Sequence, residues 1–146
     1  MSFYYIALLV FGLLVFGGGN TKYLRSWIKK SGLEEILPSL LKNKVYVGIS
    51  AGSMVTAKRV SLPSENILYY EKERDLGETL PGLGFVDFEI RPHLNSPHFP
   101  KVRLDFLEKL AHETKISFYA IDDQTAIKVV DKKISIVSEG EWKKFN

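Results

Sequence analysis

Two short apolar runs, each followed at once by small residues, constrain the fold of this chain more than any other feature of its sequence. LLVF at positions 13–16 precedes GGGNT, and VYVG at positions 45–48 precedes ISAGS. Apolar runs without polar alternation are typical of strands covered on both faces. Between them, Leu24, Trp27 and Ile28 fall on one helical stripe. The spacing therefore predicts buried strands that turn sharply into helices.

The same signals divide the rest of the chain. Helices are predicted at Thr21–Lys30, Leu33–Asn43, Ala51–Ala57 and Val102–Glu113. Strands are predicted at Leu13–Phe16, Val45–Ile49, Phe85–Ile90 and Ile116–Ile121, with a hairpin at Thr125–Val130 and Lys133–Val137 and a last short strand in EGEWKKF. Pro38 is expected to restart the second helix at a first-turn position, and Arg59 to Gly84 is expected to be an irregular excursion.

Strands that alternate with helices predict an α/β fold, with a mostly parallel sheet and helices on both of its faces. The 146 residues suit one such domain, covering 1–146. The chain has no cysteine and three histidines, so we expect no metal site and no cofactor. The lack of cysteine fits a cytoplasmic protein.

The charged and apolar stretches bear on possible partners. Lysine and arginine residues are scattered among acidic ones, which favours solvated surfaces over a nucleic-acid interface. The uncharged run from Phe3 to Phe16 is too short for a bilayer span. A membrane-tethered domain is an alternative that rests on this run alone, and we expect no membrane partner.

Polar residues follow four of the predicted strands: Gly17–Asn20, Ser50, His93 and the pair Asp122-Asp123. Open α/β sheets place their sites at the carboxyl ends of strands, so these residues are expected at one sheet edge. Ser50 lies in Gly-Ile-Ser-Ala-Gly, the pattern of a nucleophile elbow that lifts a serine hydroxyl above the sheet. The alternative is a tight turn in which Ser50 caps the following helix.

A serine nucleophile needs a base and an orienting carboxylate. His93 is the best-placed base, His98 could exchange roles with it, and His112 is expected on the surface of a helix. Asp122 and Asp123 are both candidates for the carboxylate. The order serine, histidine, acid differs from that of α/β-hydrolases, which argues against a standard lipase or esterase.

The glycine-rich segment FGGGNT has two interpretations. Backbone N–H groups in such a loop can bind phosphate, but the spacing lacks the last glycine of a dinucleotide fingerprint, and no Walker lysine motif is present. The segment can instead supply a second oxyanion donor beside Ser50. We favour the second interpretation because it uses the same sheet edge as the elbow.

Four segments together resemble the peptidase S51 family, which includes aspartyl dipeptidases of the peptidase E type. The segments are LLVFGGGNTKYL, VYVGISAGSMV, GLGFVDFEIRPHL and FYAIDDQTAIKV. The resemblance implies a class I glutamine amidotransferase-like fold, with Ser50 as nucleophile, His93 as base and Asp123 as the acid, Asp122 being the alternative. It implies an oxyanion hole formed by the Ala51 N–H and that of Gly18 or Gly19.

The resemblance covers about 13–146 and leaves 1–12 as an unassigned apolar segment. Family members carry further strands and helices before the glycine loop, so the chain is expected to be N-terminally truncated. The implied activity is that of a serine hydrolase which cleaves dipeptides or short peptides through an acyl-enzyme on Ser50. The alternatives are a related hydrolase with a non-peptide acyl substrate, and an inactive homologue that survives as a folded or dimerising module. Exposed sheet edges would favour a homodimer.

Overall fold

The computed structural model describes residues 7–10, 12–60, 68–69 and 80–146. Its helices are α1 (Thr21–Lys30), α2 (Leu33–Leu40), α3 (Ala51–Met54) and α4 (Leu104–Thr114). Its strands are β1 (Ala7–Val10), β2 (Leu13–Phe16), β3 (Val45–Gly48), β4 (Arg59–Val60), β5 (Leu80–Pro81), β6 (Glu89–Arg91), β7 (Phe118–Ile121), β8 (Thr125–Val130), β9 (Lys133–Ser138) and β10 (Trp142–Phe145). The described part of the chain contains no helix that is long and apolar enough to cross a membrane.

The first sheet has the order β1-β2-β3 and carries the glycine loop and Ser50 at its edge. β1 runs antiparallel to β2, and β2 runs parallel to β3 with Phe16 opposite Gly48. Its core contains buried side chains of β2, α1, α2 and α3: Leu14, Phe16, Leu24, Ile28, Leu37 and Ala51. The helix α1 begins at its cap Asn20, whose side-chain oxygen accepts the Tyr23 N–H at 2.9 Å.

The second sheet has the order β10-β7-β6 and is covered differently on its two faces. Phe118 and Ala120 of β7 pack with Leu107 and Leu110 of α4. The opposite face of β7 and β6 packs against the hairpin β8–β9, through the residues Tyr119, Ile121, Ile90, Ile127 and Ile136. The hairpin turn is Asp131-Lys132, where both residues have positive φ, as a two-residue turn matching the strand twist requires.

The prediction of a mostly parallel sheet with helices on both faces is wrong in two respects. Among the described strands, two pairings are parallel and four are antiparallel. Parallel neighbours need long crossovers, whereas the antiparallel pairs β1–β2 and β8–β9 are joined by short reversals of the chain. The hairpin, not a helix, covers one face of the second sheet. The fold is α/β with mixed sheets.

Several predicted boundaries also differ from those in the structure. α2 ends at Leu40 and runs through Pro38, which lies inside the helix rather than in its first turn. α3 ends at Met54. The strand predicted at Phe85–Ile90 is the shorter β6. In the predicted irregular excursion, β4 and β5 form an antiparallel pair, and most of the remaining residues lie outside the described ones.

Candidate active site

Ser50 lies in a strained turn between β3 and α3. Its φ of 54° and ψ of −118° are unusual for a residue with a side chain, and such strain is found where a group must be held in an exposed position. The turn packs tightly against β2, because the Ile49 N–H donates to the Phe16 carbonyl at 2.9 Å. A Cβ on Gly52 would overlap that same carbonyl group, 2.7 Å from its carbon. Only glycine therefore fits at position 52, two residues after Ser50.

Tyr46 fixes the turn from the side of β3. Its hydroxyl donates to the Gly52 carbonyl at 2.7 Å, and its ring stacks on Phe16 with 4.7 Å between ring centroids. Burial raises the pKa of the Tyr46 phenol, so the hydroxyl keeps its proton and stays a donor. The backbone around Ser50 is thus held by a side chain that the sequence analysis did not single out.

His93 stands within hydrogen-bonding distance of Ser50. Its Nε2 lies 2.8 Å from the Ser50 Oγ. The residue has a positive φ of 67° in the loop after β6. The loop is held by the Leu94 N–H, which donates to the Ile121 carbonyl at 2.9 Å, and by the Tyr69 hydroxyl, which donates to the Pro92 carbonyl at 3.0 Å.

Phe99 supports the ring of His93. The two rings are stacked with 4.6 Å between centroids and 23° between planes. Phe99 also meets Tyr69 edge-on at 5.4 Å, so the ring that holds the loop and the ring that supports the imidazole are in contact. The sequence signal for this support is an aromatic residue in the proline-bounded loop that contains His93.

Asp123 and Asp122 have different positions despite being neighbours in sequence. The Asp123 Oδ1 lies 2.6 Å from the His93 Nδ1, and its side chain is 61% exposed. The carboxylate of Asp122 instead binds its own surroundings: Oδ1 accepts the Thr125 hydroxyl at 2.6 Å and the Gln124 N–H at 3.1 Å, and Oδ2 accepts the Glu141 N–H. The structure thus brings Asp123, and not Asp122, to the histidine.

We expect Asp122 to contribute to stability in a pH-dependent way. Partial burial raises the pKa of Asp122, but the bonds from Thr125, Glu141 and Gln124 outweigh it, so the net pKa is lowered. A lowered carboxyl pKa stabilises the fold above the unfolded-state pKa of about 3.9, and this contribution is lost as the pH falls through the folded-state pKa.

Asp122→Asn should lower the free energy of unfolding by about 1–2 kcal/mol at pH 7, since some of these bonds are lost. The measurement is urea unfolding at pH 7 and at pH 3. The wild type should lose more stability than Asp122→Asn over this interval. Equal losses would show that Asp122 contributes no pH-dependent stability.

The residues predicted to form an oxyanion hole are Gly18 and Gly19 in the glycine loop and Ala51 at the start of α3. A Cβ built on Gly18 would lie 3.2 Å from the Ser50 Cβ, so the glycine loop touches the serine. The Ala51 N–H begins α3 and has no partner within the helix, as holds for the first residue of any helix. Gly19 has a positive φ of 127°, and it takes part in at least one other interaction in the structure. The assignment of Gly18, Gly19 and Ala51 to an oxyanion hole stays a prediction.

The other histidines do not join this constellation. His98 is exposed, and its N–H donates to the Ser96 Oγ at 3.4 Å. His112 is exposed on α4, as predicted. Over the described ranges, no three histidine, aspartate or glutamate side chains are grouped as metal ligands would be. The hydroxyl, imidazole and carboxylate in series are instead the arrangement that activates a serine for acyl transfer.

The chain is similar to known peptidases. The family model for peptidase family S51 matches residues 8–137. The chain belongs to peptidase family S51. Its curated relatives include the uncharacterized peptidases Lmo0363 of Listeria monocytogenes and PM1590 of Pasteurella multocida. The first is 28% identical over 80% of this chain and the second 26% identical over 80%.

Solved structures show the same fold. A crystal structure of a candidate peptidase E protein from Listeria monocytogenes EGD-e matches with a TM-score of 0.68 and 24% identity, over 88% of this chain and 60% of that one. A peptidase from an acI-B1 Actinobacterium matches with a TM-score of 0.56 and 20% identity, over 92% of this chain and 59% of that one. This S51 chain spans 56% and 55% of the lengths of the two curated relatives.

Proposed function

We propose that this S51 chain is a serine hydrolase that cleaves short peptides through an acyl-enzyme on Ser50. One observation carries the proposal: the Ser50 Oγ, the two ring nitrogens of His93 and the Asp123 carboxylate form a continuous series, with gaps of 2.8 Å and 2.6 Å. A serine hydroxyl becomes a useful nucleophile when an adjacent base accepts its proton. Membership of a peptidase family supports a peptide as the acyl donor.

The acylation step uses each member of the series. The Nδ1–H of His93 donates to Asp123, which leaves Nε2 free to accept the proton of the Ser50 hydroxyl. The Ser50 oxygen then bonds to the scissile carbonyl carbon, and the carbonyl oxygen becomes an oxyanion. The N–H groups of Ala51 and Gly18 are the proposed donors to that oxyanion.

Collapse of the tetrahedral intermediate completes the cleavage. The imidazolium of His93 gives its proton to the leaving amine as the C–N bond breaks, and Ser50 keeps the acyl group. Deacylation repeats these steps with water as the nucleophile, and His93 again takes and returns the proton. Asp123 orients the imidazole and stabilises its cation throughout, without itself taking the proton.

The test is covalent labelling with a small fluorophosphonate probe, which reports an activated serine without assuming a peptide sequence. The wild type should label at one site, and Ser50→Ala should not label. The matched control is Ser53→Ala, because the Ser53 hydroxyl donates to the Ser50 carbonyl and is not in the series. A folded wild type that does not label would remove the proposal and favour an inactive homologue.

A further inference from the structure

A groove leads away from Ser50 along β3. Its cavity volume is about 580 Å³, and it is lined by every residue from Val45 to Ser50 on one side. The opposite side is formed by β8, with Ile90 and Ile121 from β6 and β7. His93 and Asp123 line the same cavity, so the groove is continuous with the proposed active site. Its size is in the range of ligand-binding clefts.

The side of the groove formed by β3 is the strand edge that faces away from β2. β3 bonds to β2 through the N–H groups of Val45 and Ile49, which donate to the carbonyls of Gly12 at 2.7 Å and Phe16 at 2.9 Å. Backbone groups alternate between the two edges of a strand, so the amides of Tyr46 and Gly48 face the groove. Within the described ranges, no strand pairs with this edge. Such an edge can accept an extended peptide as an added strand.

The opposite side of the groove is apolar. Ile127, Val129 and Val130 line it, and the last two are 38% and 51% exposed. Lys128 is the only cation that lines this cavity among the described residues, whereas Asp122 and Asp123 stand at its Ser50 end. The two carboxylates would repel an anionic substrate side chain next to the scissile bond. The valines favour apolar substrate side chains further along the groove.

We infer that the substrate of Ser50 is an extended peptide with apolar side chains, which adds as a strand to the free edge of β3. The inference rests on the proposed function and specifies its substrate class. A strand rises about 3.3 Å per residue, so the edge from Tyr46 to Ser50 accommodates about four substrate residues. The preferred substrate is accordingly an apolar peptide of about this length rather than a dipeptide with an N-terminal aspartate.

Two matched variants test the apolar side of the groove. Val129→Glu places a charge in the groove, and Val137→Glu places the same charge on β9, where the valine is 61% exposed and does not line the cavity. For an apolar tetrapeptide, kcat/KM should fall about tenfold or more in Val129→Glu and stay within about twofold in Val137→Glu. Both variants should remain folded by far-ultraviolet circular dichroism, and fluorophosphonate labelling of the control Val137→Glu should match that of the wild type. Equal kcat/KM values for the two variants would overturn the groove as a substrate site.

The strand-like binding mode has its own test, which needs no cleavage. Apolar tetrapeptides carrying one N-methyl group at each backbone position in turn are titrated calorimetrically into Ser50→Ala. The affinity should fall about tenfold or more at alternate positions only, because every second N–H faces β3. An absence of alternation would overturn the inference, as would tighter binding of an aspartyl dipeptide than of the unmodified tetrapeptide. If the fluorophosphonate probe does not label the wild type but the affinities of the N-methyl peptides alternate, the proposed serine chemistry is wrong and the peptide-binding groove is supported.

Discussion

Gly52→Ala is expected to lower the free energy of unfolding by about 3 kcal/mol or more, the largest effect on stability that we predict. The added methyl group would overlap the carbonyl oxygen of Phe16, and its distance to the carbonyl carbon would be 2.7 Å. Since both groups belong to backbone at the junction of β2 and α3, neither can move aside as a flexible side chain would. Relief requires the Ser50 turn to separate from β2.

The measurement is urea unfolding followed by far-ultraviolet circular dichroism. The control is Gly17→Ala, because a Cβ on Gly17 meets no atom within 4 Å. This control should change the free energy of unfolding by less than about 1 kcal/mol. Fluorophosphonate labelling of Ser50 should be lost in Gly52→Ala at temperatures where Gly17→Ala still labels. A Gly52→Ala variant as stable as the wild type would show that the turn does not pack against β2.

Local chemistry made parts of this fold predictable. The helix predicted at Thr21–Lys30 has those bounds in the structure, because Asn20 caps its start and its apolar spacing places Leu24 and Ile28 in the core. The same spacing misplaced Trp27, which is 51% exposed, since a stripe does not specify how much of it is covered. The hairpin followed from Asp131-Lys132 between two runs of strand-forming residues.

Tertiary hydrogen bonds decided what the pattern could not. The alternation in FVDFEI predicts a strand from Phe85, yet the N–H groups of Phe85 and Val86 both donate to the Thr56 carbonyl, at 2.8 Å and 3.2 Å. Those bonds hold the segment against the end of α3, so β6 begins only at Glu89. The relative direction of paired strands could not be predicted either, because the side-chain pattern of one strand does not indicate whether its neighbour is parallel or antiparallel.

The choice between Asp122 and Asp123 illustrates the same limit at the candidate site. Both residues follow one strand, and either carboxylate satisfies the chemical requirement for orienting a histidine. What separates them is the Glu141 N–H, which arrives from the segment before β10 and binds the Asp122 carboxylate. With Asp122 turned towards that amide, Asp123 is left to face His93. A contact between residues so distant in sequence cannot be read from the local pattern.

His93→Ala should slow fluorophosphonate labelling of Ser50 by about 10,000-fold, the largest effect on rate expected from removal of a general base. Without the imidazole 2.8 Å away, the Ser50 hydroxyl has no acceptor for its proton during attack. The Cβ and backbone that hold the loop are kept in this variant. Urea unfolding of the same sample should show a stability change of less than about 2 kcal/mol, which separates lost chemistry from lost folding.

Asp123→Asn should slow labelling by about 100-fold to 1,000-fold. The amide can still meet the His93 Nδ1 but cannot stabilise the imidazolium as a carboxylate does. The loss should be smaller than the roughly 10,000-fold known for a buried triad aspartate, because the Asp123 side chain is 61% exposed and water screens its charge. Asp122→Asn is the matched control and should keep the labelling rate within about threefold while it lowers stability. Equal slowing by both asparagine variants would mean that the pair, rather than Asp123 alone, orients the histidine.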